Sequence, residues 1–163
     1  MKKIFALGLL LFSIITWSQK TTQEFHFVNI KEGISKVGVS KIIQDHCGFI
    51  WIGTTGTGLY KFDGMDYTSY KHKLRDSTSL SSNRITSLFL DRNKRLWVGT
   101  ENGLNYYDRS LDQFVRVRIN NVNINYEYIS SLSEDSSNTL LIGTNDSGLY
   151  KLNLDNFNIE KVL

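Results

Sequence analysis

Residues 39–63 read VSKIIQDHCGFIWIGTTGTGLYKFD, residues 85–108 read ITSLFLDRNKRLWVGTENGLNYYD, and residues 129–153 read ISSLSEDSSNTLLIGTNDSGLYKLN. Laid over one another, Asp45, Asp91 and Asp135 coincide, as do Trp51, Trp97 and Leu141. So do Gly53-Thr54, Gly99-Thr100 and Gly143-Thr144, and then Gly58-Leu59, Gly103-Leu104 and Gly148-Leu149. The register extends upstream, where Ile34-Ser35, Leu80-Ser81 and Ile124-Asn125 begin five residues before Val39, Ile85 and Ile129. Trp51 to Trp97 is 46 residues and Trp97 to Leu141 is 44. A period of this size marks an array of supersecondary units, each burying its apolar face on its neighbour.

The units read as strands. Short apolar runs at Ile42–Gln44, Ile85–Leu90 and Ile129–Leu132 each lead to the repeated Asp, and a turn then opens FIWIGT, RLWVGT or TLLIGT. A glycine-bearing loop follows, then GLYKFD, GLNYYD or GLYKLN, and a fourth run at Tyr67–Lys71, Phe114–Ile119 or Phe157–Val162. These runs are short and bounded by turn residues, and their alternation suits half-buried strands. Four antiparallel strands per unit of this length make an all-β fold of β-propeller blades. The repeated residues are expected to be scaffold. Asp at a strand end accepts hydrogen bonds from the following turn, Trp packs blade on blade, and Gly permits tight corners.

The predicted organisation is a leader at residues 1–18 and a partial propeller at 19–163, with a strand at 25–30 and blades at about 39–71, 85–119 and 129–163. Three blades plus one N-terminal strand make an incomplete ring, since propellers typically have 4–8 blades. The missing blades are expected from the rest of a longer parent chain or from another copy of this one. The leader is read from Lys2-Lys3, the uncharged run of 14 residues from Ile4 to Trp17, and small residues at Thr16 and Ser18 before Gln19. That is a secretory signal pattern. The run is shorter than the roughly 20 residues a membrane span needs. The expected mature chain is periplasmic or secreted, with no membrane span after cleavage.

Composition narrows the function classes. Nineteen Lys and Arg stand against 16 Asp and Glu, and without Lys2 and Lys3 the count is 17 against 16. The basic footprint of a nucleic-acid binder is missing. The single cysteine, Cys47, excludes an internal disulfide and a multi-thiolate zinc site. His26, His46 and His72 are scattered, so no metal site and no cofactor is expected. A polysaccharide-acting enzyme needs two facing carboxyl groups. Asp63, Asp66, Asp76, Glu101, Glu127, Asp146 and Asp155 are available, but nothing in the sequence makes two of them converge, and no catalytic residue is assigned. For binding, two sets of loops share one face of a propeller: those entering each inner strand, and those between the second and third strands. Their candidate ligand residues are Arg75, Arg84, Tyr126 and Tyr128 on one side, and Glu101, Asn102, Asn145 and Asp146 on the other. Tyr with Asn, Asp and Arg suits an oligosaccharide, aromatic faces covering C–H patches while polar groups read hydroxyls.

The pattern D-x-x-G-x-[IL]-W-[IV]-G-T followed by G-L-x-x-[FY]-D resembles the two-component regulator propeller repeat, found in the periplasmic sensor regions of Bacteroidetes hybrid two-component histidine kinases. Asp45 to Thr54 fits it, Asp91 to Thr100 departs at Lys94, and the third unit carries Asn138, Leu141 and Asn153 in place of Gly, Trp and Asp. The resemblance implies an N-terminal part of a sensor whose parent detects oligosaccharides and controls polysaccharide-utilisation genes. It implies no kinase module in this chain, which has no proline for the usual phosphoacceptor box. The alternatives are a self-standing secreted binding or scaffold module that oligomerises, and a propeller enzyme.

Overall fold

A computed structural model describes residues 37–117 and 126–162. The expected leader at 1–18, the strand at 25–30, the Ile34-Ser35 and Ile124-Asn125 positions and the end of the second blade beyond residue 117 lie outside the described residues. Within them, β1 (Val39–Gln44), β2 (Ile50–Thr54), β3 (Leu59–Phe62) and β4 (Tyr67–Tyr70) form one antiparallel sheet. A second holds β5 (Ile85–Leu90), β6 (Leu96–Thr100), β7 (Gly103–Asp108) and β8 (Gln113–Arg116). A third holds β9 (Ile129–Glu134), β10 (Thr139–Thr144), β11 (Leu149–Asn153) and β12 (Ile159–Lys161). Each sheet runs in chain order from inner to outer strand, which is the architecture of propeller blades.

The inner strands share one irregularity. β1 begins at Val39, three residues before the expected Ile42, because a bulge between Val39 and Lys41 carries the pairing on to Thr54. The same shift recurs between Ile85 and Ser87 and at the β9–β10 pairing of Ile129 with Thr144. A bulge re-aims a side chain, and here it turns Ile85 and Ile129 into the preceding blade. At the other edge, β12 is shorter than the run Phe157–Val162. Phe157 sits in the preceding turn with φ 59, outside strand geometry.

Alternation then divides the side chains between two blade interfaces. Trp51 and Leu59 point forward to Leu80, Ile85, Leu96, Val98, Tyr107 and Phe114 of the next blade. Trp97 and Leu104 do the same toward Ile129, Leu140, Ile142 and Leu152. Both tryptophans are fully buried, and Trp51 meets Tyr107 at 4.8 Å between ring centroids, edge to face. Burying about 150–250 Å² of such a side chain at roughly 25 cal/mol per Å² contributes about 4–6 kcal/mol. Two residues on, glycine is required by close approach. A Cβ at Gly53 would lie 2.6 Å from Ile85, and one at Gly99 would lie 2.7 Å from Ile129. The W-x-G spacing is therefore a knob and a hole presented to the same neighbour.

The repeated Asp ties turn to core. Asp45 Oδ1 accepts from the Cys47 and Phe49 amides, and its Oδ2 from the Trp51 indole at 2.9 Å. Asp91 accepts from the Arg95 amide and the Trp97 indole likewise. Asp135 takes the Ser137 and Thr139 amides, and Leu141 leaves it no indole. Across the first blade interface, Arg109 Nη2 reaches back to Asp45 Oδ2 at 2.7 Å.

Candidate functional site

The Thr of each Gly-Thr pair builds the loop that follows it. Thr54 Oγ1 donates to Gly58 O and accepts from the Thr57 amide. Thr100 bonds Gly103 O and the Asn102 amide, and Thr144 bonds Gly148 O and the Ser147 amide. These loops are sewn to the loops that enter the inner strands. Thr55 N donates to Gly38 O, Gly58 N to Asn83 O, Glu101 N to Arg84 O, Gly103 N to Glu127 O, and Asn145 N to Tyr128 O. Both sets of loops thus form one continuous surface at one end of the blades, as the sequence reading places them.

A cleft opens on this surface, lined among the described residues by His72, Ser81, Asn102, Gly103, Leu104, Arg116 and Tyr126. A second hollow shares His72, Ser81 and Asn102 with it and adds Ser82, Asn83, Glu101 and Tyr128. The walls are fixed by buried polar contacts. Asn105 is fully buried where the other units carry Tyr60 and Tyr150. Its Oδ1 accepts from Ser81 N and its Nδ2 donates to Ser81 Oγ at 2.7 Å, while Ser81 Oγ also meets Thr100 Oγ1. Arg116 donates to the carbonyls of Asp76, Ser79 and Leu80, clamping residues 76–80. His72 Nδ1 lies 2.8 Å from Leu80 O. A carbonyl only accepts, so Nδ1 carries the proton and Nε2 is left free of that bond.

Four of the expected ligand residues, Glu101, Asn102, Tyr126 and Tyr128, come together at these clefts. Arg84 stands at the edge through its ion pair with Glu101 at 3.5 Å, and Ser82 Oγ bonds the same carboxylate. Arg75 lies on an exposed turn with φ 62 and lines neither hollow. Asn145 and Asp146 are exposed on the neighbouring loop of blade 3 and line neither. His72, Ser81, Ser82, Asn83 and Arg116 escape the sequence reading. Only Asn105 signals them, as a polar residue where its siblings are aromatic.

A second polar constellation lies between blades 1 and 2. Asp112 Oδ1 accepts from the Tyr70 hydroxyl at 2.6 Å, the Tyr107 hydroxyl and Lys61 Nζ at 3.2 Å. Burial, reinforced by Asp112, pushes the Tyr70 phenol far up. Burial also pushes up the Asp112 carboxyl, but the Tyr107 and Tyr70 hydroxyls and Lys61 outweigh it and hold it below the usual range. Lys61 Nζ also donates to the Tyr107 hydroxyl at 3.3 Å, so the cluster is a latch between blades. Among the described residues no group of three or more potential metal ligands occurs, and no helix is long and apolar enough to cross a membrane.

Residues 79–102, which span β5, β6 and the loops at the cleft, match the family described as Two component regulator propeller. A 64-residue stretch is 36% identical to Histidine kinase P4 of Formosa agariphila, covering 38% of this chain and 5% of that protein. The extracellular domain of a protein assigned as a hybrid two-component system of B. thetaiotaomicron superposes with a TM-score of 0.65 at 20% identity, over 89% of this chain and 20% of that one. A second extracellular domain from the same organism is described in one structure as a one-component and in another as a hybrid two-component system. It superposes with TM-scores of 0.63 and 0.62 at 29% and 27% identity, over 74% of this chain and 17% of that one. The chain thus spans a fifth or less of the length of the proteins it matches. It carries the two-component regulator propeller repeat and is a propeller segment related to the extracellular domains of hybrid two-component systems.

Proposed function

We propose that this chain, as a bearer of the two-component regulator propeller repeat, supplies blades to the periplasmic ligand-sensing region of a hybrid two-component sensor histidine kinase, and that its ligand is an oligosaccharide bound at the loop-face cleft. In this reading residues 1–18 are a cleaved export signal, the chain itself performs no catalysis, and the whole sensor controls polysaccharide-utilisation genes. The observation that carries the ligand class is the lining of the cleft. Tyr126 and Tyr128 are exposed beside Asn102, Glu101, His72 and the Ser81-Ser82-Asn83 turn, an aromatic platform next to rigidly held hydrogen-bonding groups. Binding sites generally pair apolar faces with a few placed polar groups. Glu101 and Glu127 are already engaged, by Arg84 and Ser82 and by Ser147 respectively, which supports recognition rather than acid–base chemistry.

Calorimetric titration of the secreted chain against a panel of plant and algal oligosaccharides tests this. Binding of at least one sugar is expected, weakened by about tenfold or more, roughly 1.4 kcal/mol, in Tyr128→Ala and Asn102→Ala. Arg75→Ala, outside the lining of the cleft, should leave it unchanged. Absence of binding across the panel, or affinity indifferent to both cleft substitutions, overturns the reading. Intact mass of this chain after export is expected to show the loss of residues 1–18.

A further inference from the structure

The turns from first to second strand and from third to fourth strand emerge, by antiparallel connectivity, at the end of the blades opposite the loop-face cleft. Between blades 1 and 2 a hollow opens at that end. His46 lines it from the turn of blade 1, and Asn93, Lys94, Arg95, Tyr107 and Arg109 line it from blade 2. No carboxylate is among its lining residues. The carboxylates of the same turns are already engaged. Asp45 is buried and accepts from the Cys47 and Phe49 amides, the Trp51 indole and Arg109. Asp91 is buried and takes the Arg95 amide and the Trp97 indole, and Asp108 takes the amides of Ser110 and Leu111.

Two cations of the hollow are peculiar to the second unit. The left-handed position of each turn holds Gly48, Lys94 and Asn138. Glycine adopts this conformation freely and asparagine tolerates it, whereas lysine is destabilised there. Strain of this kind gathers at functional sites. Lys94 is exposed and joins no ion pair among the described residues, where Arg92 pairs with Glu134 and Arg95 with Asp91. Arg95 is committed to the next interface, its guanidinium within 5.4 Å of the Trp97, Tyr106 and Phe157 ring centroids. Arg109 stands where the other units have Gly64 and Leu154. Its Nη2 donates to Asp45 Oδ2 at 2.7 Å, and its guanidinium lies 5.8 Å from the Tyr107 ring centroid. Nη1 and Nε donate to nothing among the described residues, so the anchored guanidinium keeps free donors.

We propose that this hollow binds a sulfate or phosphate group, with Lys94 Nζ and the free N–H groups of Arg109 as its ligands and His46 at its rim. An anchored guanidinium offers directed donors to the oxygens of an oxyanion, and an ammonium adds a compact point charge. The site also gives the strained lysine a reason: the turn gives up stability to hold an unpaired positive charge in the same hollow as Arg109. It lies at the opposite end of the blades from the cleft and does not rest on the ligand proposed there.

Nuclear magnetic resonance of the isotope-labelled exported chain tests this, with sodium sulfate or sodium phosphate titrated in at an ionic strength held constant with chloride. Saturable shifts are expected for the amides of His46, Asn93 and Lys94 and for the Arg109 side chain, and none for Ser81 and Asn102 in the cleft. Lys94→Gly restores the residue of the first unit's turn. It is expected to keep a dispersed spectrum and to weaken binding by about tenfold, the effect of losing one charge-assisted contact. Arg109→Leu, which installs the residue of the third unit, should weaken it as much. Should that variant lose dispersion because Asp45 is left unpaired, Lys94→Gly alone decides. Shifts that grow linearly with salt, or an unchanged affinity in Lys94→Gly, overturn the proposal. A sulfated galactose and galactose itself then identify the source of the group. Tighter binding of the sulfated sugar than of inorganic sulfate makes it a sugar substituent, equal affinity makes it a free anion, and either result upholds the oxyanion site. Binding of unsulfated galactose at these same amides overturns it.

Discussion

In the turn between the inner strand and its neighbour, one position in every blade is left-handed: Gly48 has φ 88, Lys94 has φ 66 and Asn138 has φ 56. Asp91 O accepts from the Lys94 amide at 2.8 Å, and the Asp91 carboxylate takes the Arg95 amide beyond it, so the turn cannot relax without losing those bonds. A left-handed conformation costs an ordinary L-residue about 1–2 kcal/mol, while Asn tolerates it better. Lys94→Gly is therefore expected to stabilise the chain by about 1 kcal/mol, after the larger unfolded-state entropy of glycine is offset. Asn138→Gly should gain less. Urea denaturation followed by tryptophan fluorescence reads both, and a loss of stability in Lys94→Gly would mean that its side chain holds the turn by contacts. The sequence marks this position, because one unit retains glycine there. It does not show that the carboxylate closing the turn also binds an indole six residues on, since that bond exists only once two strands have paired.

Between blades 1 and 2, packing and charge act together. Burial pushes the Asp45 carboxyl up, but the Arg109 guanidinium, the Trp51 indole and the Cys47 amide outweigh it and hold it below the usual carboxylate value of 3.8. A carboxyl whose affinity for protons falls on folding contributes its full stability above its unfolded value, and that contribution is lost as pH drops through the folded one. Asp112, depressed by Tyr107, Tyr70 and Lys61 against its own burial, acts in the same direction. The interface is thus expected to weaken as pH falls below about 4. Asp45→Asn should cost about 1–3 kcal/mol at neutral pH, because the buried donors lose a charged acceptor. It should also flatten, without abolishing, the loss of stability in acid, since Asp112 still titrates. Urea midpoints measured across an acid series check this. An unaltered acid profile in Asp45→Asn would show that solvent screens the Arg109 pair, which is partly exposed on the arginine side. At the interface of blades 2 and 3 the residue in register with Arg109 is buried Leu154, so Asp91 receives no arginine from the succeeding blade.

Across the whole molecule, an array of sheets in which each touches only its neighbours divides its stability into units and interfaces. Blade 2 is covered on both faces by blades 1 and 3, and its β6 is buried along its entire length. Among the described residues no sheet packs on the far face of blade 3, and β12 is short and exposed. Amide hydrogen exchange is expected to protect β6 and β7 most, and β12 least. Equal protection of all three sheets would indicate that the array unfolds as one cooperative block. The loop-face cleft inherits its rigidity from the protected middle blade, because Asn105, Thr100 and Arg116, which hold Ser81 and residues 76–80, all belong to it.

The repeat alone determined the blade, its four strands and the scaffold role of Asp, Trp, Gly and Thr, because period-two alternation and turn chemistry are local properties that recur in register. It also placed Glu101, Asn102, Tyr126 and Tyr128 at one end of the blades, since antiparallel connectivity sends those loops the same way. Tertiary structure decided the rest. His72, Ser82 and Arg116 join the cleft only because the long loop from residue 71 to residue 84 folds back onto the middle blade. Arg75 and Asp146, equally polar in the sequence, turn outward. The division has a physical cause: strand pairing is set by neighbours in the chain, whereas a cleft is set by which donors and acceptors satisfy one another across about 20–45 residues, as Ser81 with Asn105 and Ser79 with Arg116 show.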